Sequence, residues 1–469
     1  MEQTLKVASM VKAAMPQCIV IFGGPECSYN ATEIISKYSF VDYIVMGEGE
    51  ETLNELLLAL QENRNASHII GTANREIANP LRKAIDLSTV KQPYTKEDIC
   101  ALKDKIIYFE TSRGCPFACN YCLSSIDRGV RNFPMDYVKQ GLGLLFEMNV
   151  PLVKLIDRTF NCDTKRAIEI IRFIMDNSQN TCVHFEVAPQ LLNDEIIDLL
   201  KLAPKNMFQL EMGIQSTNPK TLDAIGRKCD LEKAALNILK LKQANIHLHL
   251  DLIAGLPYED YTSFAQSFDF VYALKPDMLQ LGFLKVLHGT SIHLEHNICH
   301  CNFAPYEVIY TDWLTPQELC KLKEVENAVD RFYNSGAFSR TIDFLTRNSP
   351  FTAFEELSEI LSNAEKSGSV PRAQLYELLF KYYGNEILEG LALDFLQNNK
   401  NLALPSFAKM AQPQKFKEKC YALLKDSKFI EKYNIIPELK SIRFEAVMDK
   451  VILTDYANNS LFDITECFC

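Results

Sequence analysis

Between residues 106 and 283 the chain repeats one pattern: a short apolar run of strand length, then a stretch with helical spacing. The apolar runs are Ile106–Thr111, Leu152–Ile156, Cys182–Val187, Phe208–Ile214, His247–Ile253 and Met278–Phe283. Between them lie amphipathic stretches, Tyr137–Met148, Lys165–Asn177, Asn193–Leu202, Leu231–Ala244 and Thr262–Leu274. Strands that alternate with helices pair in parallel, because each helix carries the chain back to the starting end of the sheet. An α/β fold follows, with its sheet either barrel-like or doubly wound.

The flanks read differently. Ile19–Gly23 is an apolar run closed by Gly23, Gly24 and Pro25, and Tyr43–Met46 is another, ending in Gly47-Glu48-Gly49-Glu50. Helical spacing covers Ala31–Tyr38 and Thr52–Leu60, so the start of the chain is a small β-α-β-α fragment. Residues 73–104 read as a linker or a wrap across the next domain. After about residue 305 the strands stop. Thr315-Pro316-Gln317-Glu318 is a helix start, with Thr at N-cap, Pro at N1 and Glu at N3, and that helix runs to Asn334-Ser335-Gly336. Helical segments Ala353–Ser367, Arg372–Asn398 and Gln414–Lys425 follow, then β-like stretches near Ser441–Thr454. The expected division is 1–72, 73–104, 105–305 and 306–469.

Composition excludes several classes. A chain 47% hydrophobic and 23% charged is not a largely disordered one. Net charge is −11, which argues against broad nucleic-acid or anionic-membrane binding; Lys415–Lys419 reads as a solvated helix face. The first residues carry charges inside their apolar stretch and no cleavage pattern, and no run of 18 apolar residues occurs. The expectation is a cytoplasmic protein with no membrane contact, whose 15 cysteines are reduced or metal-bound rather than paired.

Three of those cysteines are ordered. Thr111-Ser-Arg-Gly-Cys-Pro-Phe-Ala-Cys-Asn-Tyr-Cys122 spaces Cys115, Cys119 and Cys122 as C-x3-C-x2-C. Fifteen cysteines scattered over 469 positions give this spacing by accident with a chance of roughly 0.015. Core thiols on one helix face would share the spacing, but Gly114 and Pro116 oppose a helix through Cys115. Structural zinc needs a fourth ligand, and Cys100 is the one candidate within forty residues. Three thiolates suit a four-iron, four-sulfur cluster with one iron left open. The motif resembles that of the radical S-adenosylmethionine enzymes, with Tyr121 as the aromatic residue before the third cysteine. The resemblance implies a partial (β/α)6 TIM-like barrel, an external electron donor such as flavodoxin or ferredoxin, and anaerobic chemistry. It also implies cleavage of S-adenosylmethionine, bound at the open iron, to methionine and a 5′-deoxyadenosyl radical.

Further segments extend the resemblance and imply contacts to S-adenosylmethionine from Tyr121, Asp157, Glu186, Gln215, Arg227, Asp251 and Gly255. Asp157, in Asp157-Arg-Thr-Phe-Asn161, reads alternatively as a helix N-cap, and Glu186 as half of a structural ion pair. Gln215 and Arg227 lie in Glu211-Met-Gly-Ile-Gln-Ser…Gly-Arg227, similar to the coproporphyrinogen-dehydrogenase-like branch, as is Leu250-Asp-Leu-Ile-Ala-Gly-Leu-Pro257. Gly255 suits close backbone approach or an ordinary turn. Lys285 or His288 could meet substrate, and His293, His296, Cys299, His300 and Cys301 could hold a second metal. Cys467 and Cys469 read as a frayed tail.

The opening fragment resembles the second half of a Rossmann-like cobalamin-binding domain, which implies corrin contacts from Gly23, Gly24 and Gly47. Its first strand and D-x-H-x-x-G loop are missing, and His68 is the only histidine before His184; the expectation is a chain that starts inside that domain or whose domain has decayed. The whole resembles a cobalamin-associated subgroup whose mainly helical C-terminal domain has no known function, matched loosely over residues 330–469. A radical enzyme on a small molecule follows, in one version a cobalamin-dependent methyltransferase. The alternatives are an iron–sulfur redox or sensor protein and a tRNA methylthiotransferase-like enzyme; the acidic balance opposes the last.

Overall fold

Alternation along the two longest strands of the sheet, Phe208–Gln215 and His247–Ala254, sets its orientation. Every second side chain is buried and its neighbours are only half so, which places one face under helices and the other around an open interior. The computed structural model describes residues 1–468 except 103–104, 127–128, 245, 367, 411, 413–414 and 439. The described residues divide into two compact units, Met1–Leu319 and Cys320–Cys469.

In the first unit six parallel strands form one sheet: Ile107–Phe109, Leu152–Leu155, Cys182–Glu186, Phe208–Gln215, His247–Ala254 and Met278–Phe283. Their order in space is their order in sequence, so the doubly wound alternative, in which the order reverses at a switch point, is excluded. This is the partial (β/α)6 barrel. Side chains of Asp163, Asn193, Asp230 and Asp260 cap the helices that follow strands two to five, each accepting a backbone N–H.

The opening fragment folds as Ile21–Gly23 and Tyr43–Val45 in parallel, with Thr72–Ala73 added antiparallel. Val20, Phe22, Ile34, Ile35, Val41 and Ile44 are its core. The third strand falls at the expected edge of the linker, which then passes over the barrel: Gln92 Nε2 donates to Tyr137 O at 2.8 Å and Tyr94 OH to Tyr108 O at 2.9 Å. The linker's last expected residues, 103–104, lie outside the described ones.

Several expectations need correction. Strands do not stop at 305, because Ile298–His300 pairs with Val308–Thr311. Thr315 and Glu318 do form the expected capping box, and the helix Pro316–Ala328 continues as a π-helix to Asn334. Arg372–Asn398 is two helices, broken at Gly384, whose φ of +61° no helix continues. The second unit is helical up to Tyr433, then closes with an antiparallel sheet of Ile442–Val447, Lys450–Asp455 and Ser460–Asp463. Cys467 is no frayed tail, since it packs half-buried on that sheet's core. Ser367 and Gln414, expected in helices, and Cys469 lie outside the described residues. Among the described residues no helix is long and apolar enough to cross a membrane.

Candidate active site at the mouth of the barrel

Barrel strand one runs into a two-stranded ribbon, Ser112–Cys115 against Gly129–Asn132, and the loop between its strands carries Cys119 and Cys122. The three thiols and Tyr121 line one cavity of about 240 Å3 at the C-terminal ends of the strands. Thr159 Oγ1 lies 3.4 Å from Cys115 Sγ, and Arg227 Nη1 lies 3.9 Å from Cys119 Sγ. Burial pushes the Cys119 thiol up, and the guanidinium of Arg227 draws it back down. Burial likewise pushes the Tyr121 hydroxyl well up, so it stays a neutral donor. No three His, Cys, Asp or Glu side chains among the described residues are grouped to hold a single metal ion. Three thiols are one short of the four ligands of structural zinc and match the set that leaves one iron of a four-iron, four-sulfur cluster open.

Glu186, Gln215, Arg227 and Asp251 line the same cavity, from strands three, four and five and the segment after strand four. Gln215 sits at φ +71°, and its amide folds back over Gly213, where a Cβ would come within 2.0 Å of Nε2. Arg227 is half-buried, with its Nε atom shut off from solvent, and donates through Nη2 to Gly213 O. Gln215 Oε1, Arg227 Nε and Asp251 Oδ1 are buried without a hydrogen-bond partner. Three orphaned polar atoms on one cavity wall are costly in an empty protein and are what a polar ligand would satisfy. Glu186 has a weak partner, Arg158 at 3.9 Å, and burial raises its pKa.

Below this wall the barrel interior is charged. Glu211 Oε2 takes Lys154 Nζ and His184 Nε2, each at 2.8 Å, and the hydrogen bond from His184 with the adjacent lysine drives its pKa down to about 2. Asp251 is pushed up to about 8 by burial, helped by the negative charges of Glu211 and Glu186. His249 Nε2 is 3.5 Å from Asp251 Oδ1 but out of line for a hydrogen bond, and burial holds that imidazole below its usual value.

Two expected contacts move elsewhere. Asp157 neither caps a helix nor lines the cavity: its buried carboxylate accepts from Thr111 N at 3.0 Å and Thr111 Oγ1 at 2.6 Å, and from the Ser112 hydroxyl, pinning the start of the cysteine ribbon. Asp163 caps the helix instead. Gly255, at φ +90°, is close-packed against Val308, whose Cγ1 would be 2.7 Å from an added Cβ, so its approach is to a strand and not to the cavity. Lys285 lines an adjoining cavity of about 380 Å3 that shares Tyr121, Cys122, Arg158, Gln215 and Asp251 with the first. His288 turns its ring edge to Tyr306 instead. The residues from His293 to Cys301 are not gathered: His300 Nδ1 meets Cys301 O at 2.9 Å, and His296 sits against Tyr258 and Trp313.

In the opening fragment Gly24 and Gly47 have φ of +94° and +73°, and nothing stands within 4 Å of an added Cβ at Gly24. Gly23 has ordinary backbone, and a Cβ added there would lie 3.6 Å from Val45 O. The turns meet the barrel mouth, since Glu26 accepts from the Tyr306 hydroxyl and the ring of Tyr29 packs on Gly289. Arg158, Thr159, Glu211 and Gly213 were not singled out in the sequence, although Glu211 and Gly213 stand inside a quoted motif and Arg158 and Thr159 follow Asp157.

A six-stranded partial barrel with three thiols at its mouth defines the class. Residues 109–271 match the family model for the radical SAM superfamily, residues 1–57 that for a B12-binding domain, and residues 294–460 that for a protein of unknown function, DUF4080. Residues 109–271 thus carry a radical SAM domain, and residues 1–57 ahead of it carry a match to a B12-binding domain. It is 24% identical over 298 residues to an uncharacterized methyltransferase of Pyrococcus horikoshii, covering 61% of this chain and 64% of that one. It is 26% identical over 285 residues to the cobalamin-dependent radical SAM methyltransferase TokK of Streptomyces tokunonensis, covering 55% and 41%. The chain thus spans less than two thirds of either relative. The structure of OxsB, a cobalamin-dependent S-adenosylmethionine radical enzyme, superposes with a TM-score of 0.57 at 14% identity, over 93% of this chain and 71% of that one. That likeness is one of fold.

Proposed function

We propose that this chain is a radical S-adenosylmethionine enzyme, working with cobalamin to methylate a small molecule. One observation carries the reading: three unpartnered buried polar atoms, on Gln215, Arg227 and Asp251, share a cavity with the three thiols of the C-x3-C-x2-C motif. An electron carrier needs the thiols and has no use for the orphaned wall. In this reading Cys115, Cys119 and Cys122 ligate a four-iron, four-sulfur cluster. When bound, that cluster supplies the electron that cleaves the sulfonium of S-adenosylmethionine.

The chain's own groups do the rest. Arg227 offers a free Nε–H to a carboxylate and, lying beside Cys119, offsets thiolate charge. Gln215 presents an acceptor, and Asp251, protonated at neutral pH, presents an O–H donor. Tyr121, kept neutral by burial, puts its hydroxyl against the Cys119 thiol. The adjoining cavity with Lys285 is the substrate side. The open turns at Gly24 and Gly47 leave room for a corrin at the barrel mouth, and the fragment's one histidine, the exposed His68, stands in no axial-ligand motif. The four-part division at residues 72, 104 and 305 belongs to the same proposal.

The test is anaerobic reconstitution with iron and sulfide, reduction with dithionite, and addition of S-adenosylmethionine. The expected product is 5′-deoxyadenosine, and its absence from a fully loaded protein would sink the enzymatic reading. Hydroxocobalamin added in parallel should leave corrin absorbance on the protein after desalting; none retained at micromolar protein removes cobalamin from the proposal.

A further inference from the structure

The loop that carries Cys119 and Cys122 leaves and re-enters the barrel through the ribbon Ser112–Cys115 and Gly129–Asn132, in which Arg113 stands directly opposite Arg131. Like charges facing each other across an antiparallel pair repel, and a ribbon of two strands has little stability of its own. Glu110 supplies one opposing charge locally; the others come from the opening fragment, more than sixty positions away. Glu48 Oε1 lies 3.2 Å from Arg113 Nη1 and also accepts from Arg131 Nη2, while Oε2 accepts from Ile85 N at 2.8 Å. Glu50 Oε1 takes Arg113 Nη2 at 2.6 Å, Glu110 takes Arg113 Nε at 3.0 Å, and Arg131 Nη1 donates to Ile85 O at 3.0 Å. The side chains of Glu48 and Arg113 are 21% and 18% exposed, so water screens the pairing weakly.

We propose that the Gly47-Glu48-Gly49-Glu50 turn is a clamp that sets the shape of the cysteine loop, with Glu48 as its positioning residue. It reaches Cys115 from Arg113 through a single residue, Gly114, at φ +90°. The fragment that carries the corrin-side glycines therefore also fixes the strand ending in the first cluster ligand, and a change in one is felt at the other. The inference rests on the reading of Cys115, Cys119 and Cys122 as cluster ligands.

The test uses the full chain, both as purified and anaerobically reconstituted, in wild type, Glu48→Gln, Glu48→Gln with Arg131→Gln, and Glu55→Gln. The last removes a half-exposed partner of Arg82 in the same fragment and serves as control. Amide hydrogen exchange over 112–115 and 129–132 should accelerate at least tenfold in Glu48→Gln, while barrel strand Phe208–Gln215 stays within twofold. The double variant should recover at least threefold of that loss, because deleting one arginine relieves the repulsion; a merely structural contact predicts a further loss. In the reconstituted protein the electron paramagnetic resonance g-values of the reduced cluster should shift in Glu48→Gln and not in Glu55→Gln. Ribbon exchange within twofold of wild type in Glu48→Gln, or a double variant faster than the single, overturns the clamp. A wild-type chain that loads no cluster overturns the functional reading instead, and the exchange measurements still decide the clamp.

Discussion

Asp251 makes the stability of this protein depend on pH in a direction opposite to the usual carboxylate. In the cofactor-free fold it keeps its proton to about pH 8, whereas the unfolded chain releases it near the ordinary value of 3.8. Between those values folding takes up a proton, so stability is full in acid and falls as the pH rises. The slope is about 1.4 kcal/mol per pH unit. From pH 5 to pH 8.5 the wild type should lose about 4 kcal/mol relative to a variant without the group. Water reaches 18% of this side chain, which trims the expected difference to about 2–4 kcal/mol. Asp251→Asn keeps the shape and removes the titration. Urea unfolding can be followed by fluorescence of Trp313, the sole tryptophan, which lies in the same compact unit as the barrel. The variant should gain on the wild type as pH rises, while its affinity for S-adenosylmethionine, with a neutral amide donor in place of the acid, should no longer change through about pH 8. A stability difference that stays constant between pH 5 and pH 8.5 would refute the reasoning, since it would mean that Asp251 titrates alike in both states.

Glu211→Gln strands Lys154 and His184 inside the barrel and should cost about 3 kcal/mol in the same urea assay. It also removes a negative neighbour, so the pH at which Asp251 loses its proton should move down. Gly213→Ala places a methyl where Gln215 Nε2 now lies, and calorimetric affinity for S-adenosylmethionine should fall at least tenfold with a stability loss of about 1–3 kcal/mol. Gly255→Ala meets Val308 with φ positive and should destabilise by about 1–3 kcal/mol, with the affinity for S-adenosylmethionine held within twofold. Each of Cys115→Ala, Cys119→Ala and Cys122→Ala should cut iron bound after reconstitution by at least half, whereas Cys182→Ala, a half-buried thiol on barrel strand three, should not.

What the sequence made legible and what it hid divide along a physical line. Spacing survives projection onto one dimension, so the six strands, the C-x3-C-x2-C thiols and the Thr315–Glu318 capping box could all be read from it. Direction does not survive. Asp157 and Gly255 carry the right residue types at strand ends, yet their partners are Thr111 and Val308, each some fifty positions away, and local pattern could not aim them. The ribbon Ser112–Cys115 and Gly129–Asn132 escaped because glycine and arginine give it no apolar run, and the carboxylates that meet its charges, Glu48 and Glu50, stand more than sixty positions away.

The interior charges were nearer to the surface of the sequence than either. Leu152–Leu155, Cys182–Glu186, Phe208–Gln215 and His247–Ala254 place Lys154, His184, Glu211, His249 and Asp251 at positions that alternate with apolar ones. In a sheet open to water on one side such alternation marks the solvent face. Here helices cover the outer face, and it is the apolar positions that are buried beneath them, Val153, Leu155, Val183, Phe185, Leu210 and Leu250 among them. The polar positions then have one place left, the inside of the barrel. Alternation in helix-flanked parallel strands thus reads as a polar interior, and a polar interior that must satisfy five titratable side chains is a binding chamber rather than a packed core.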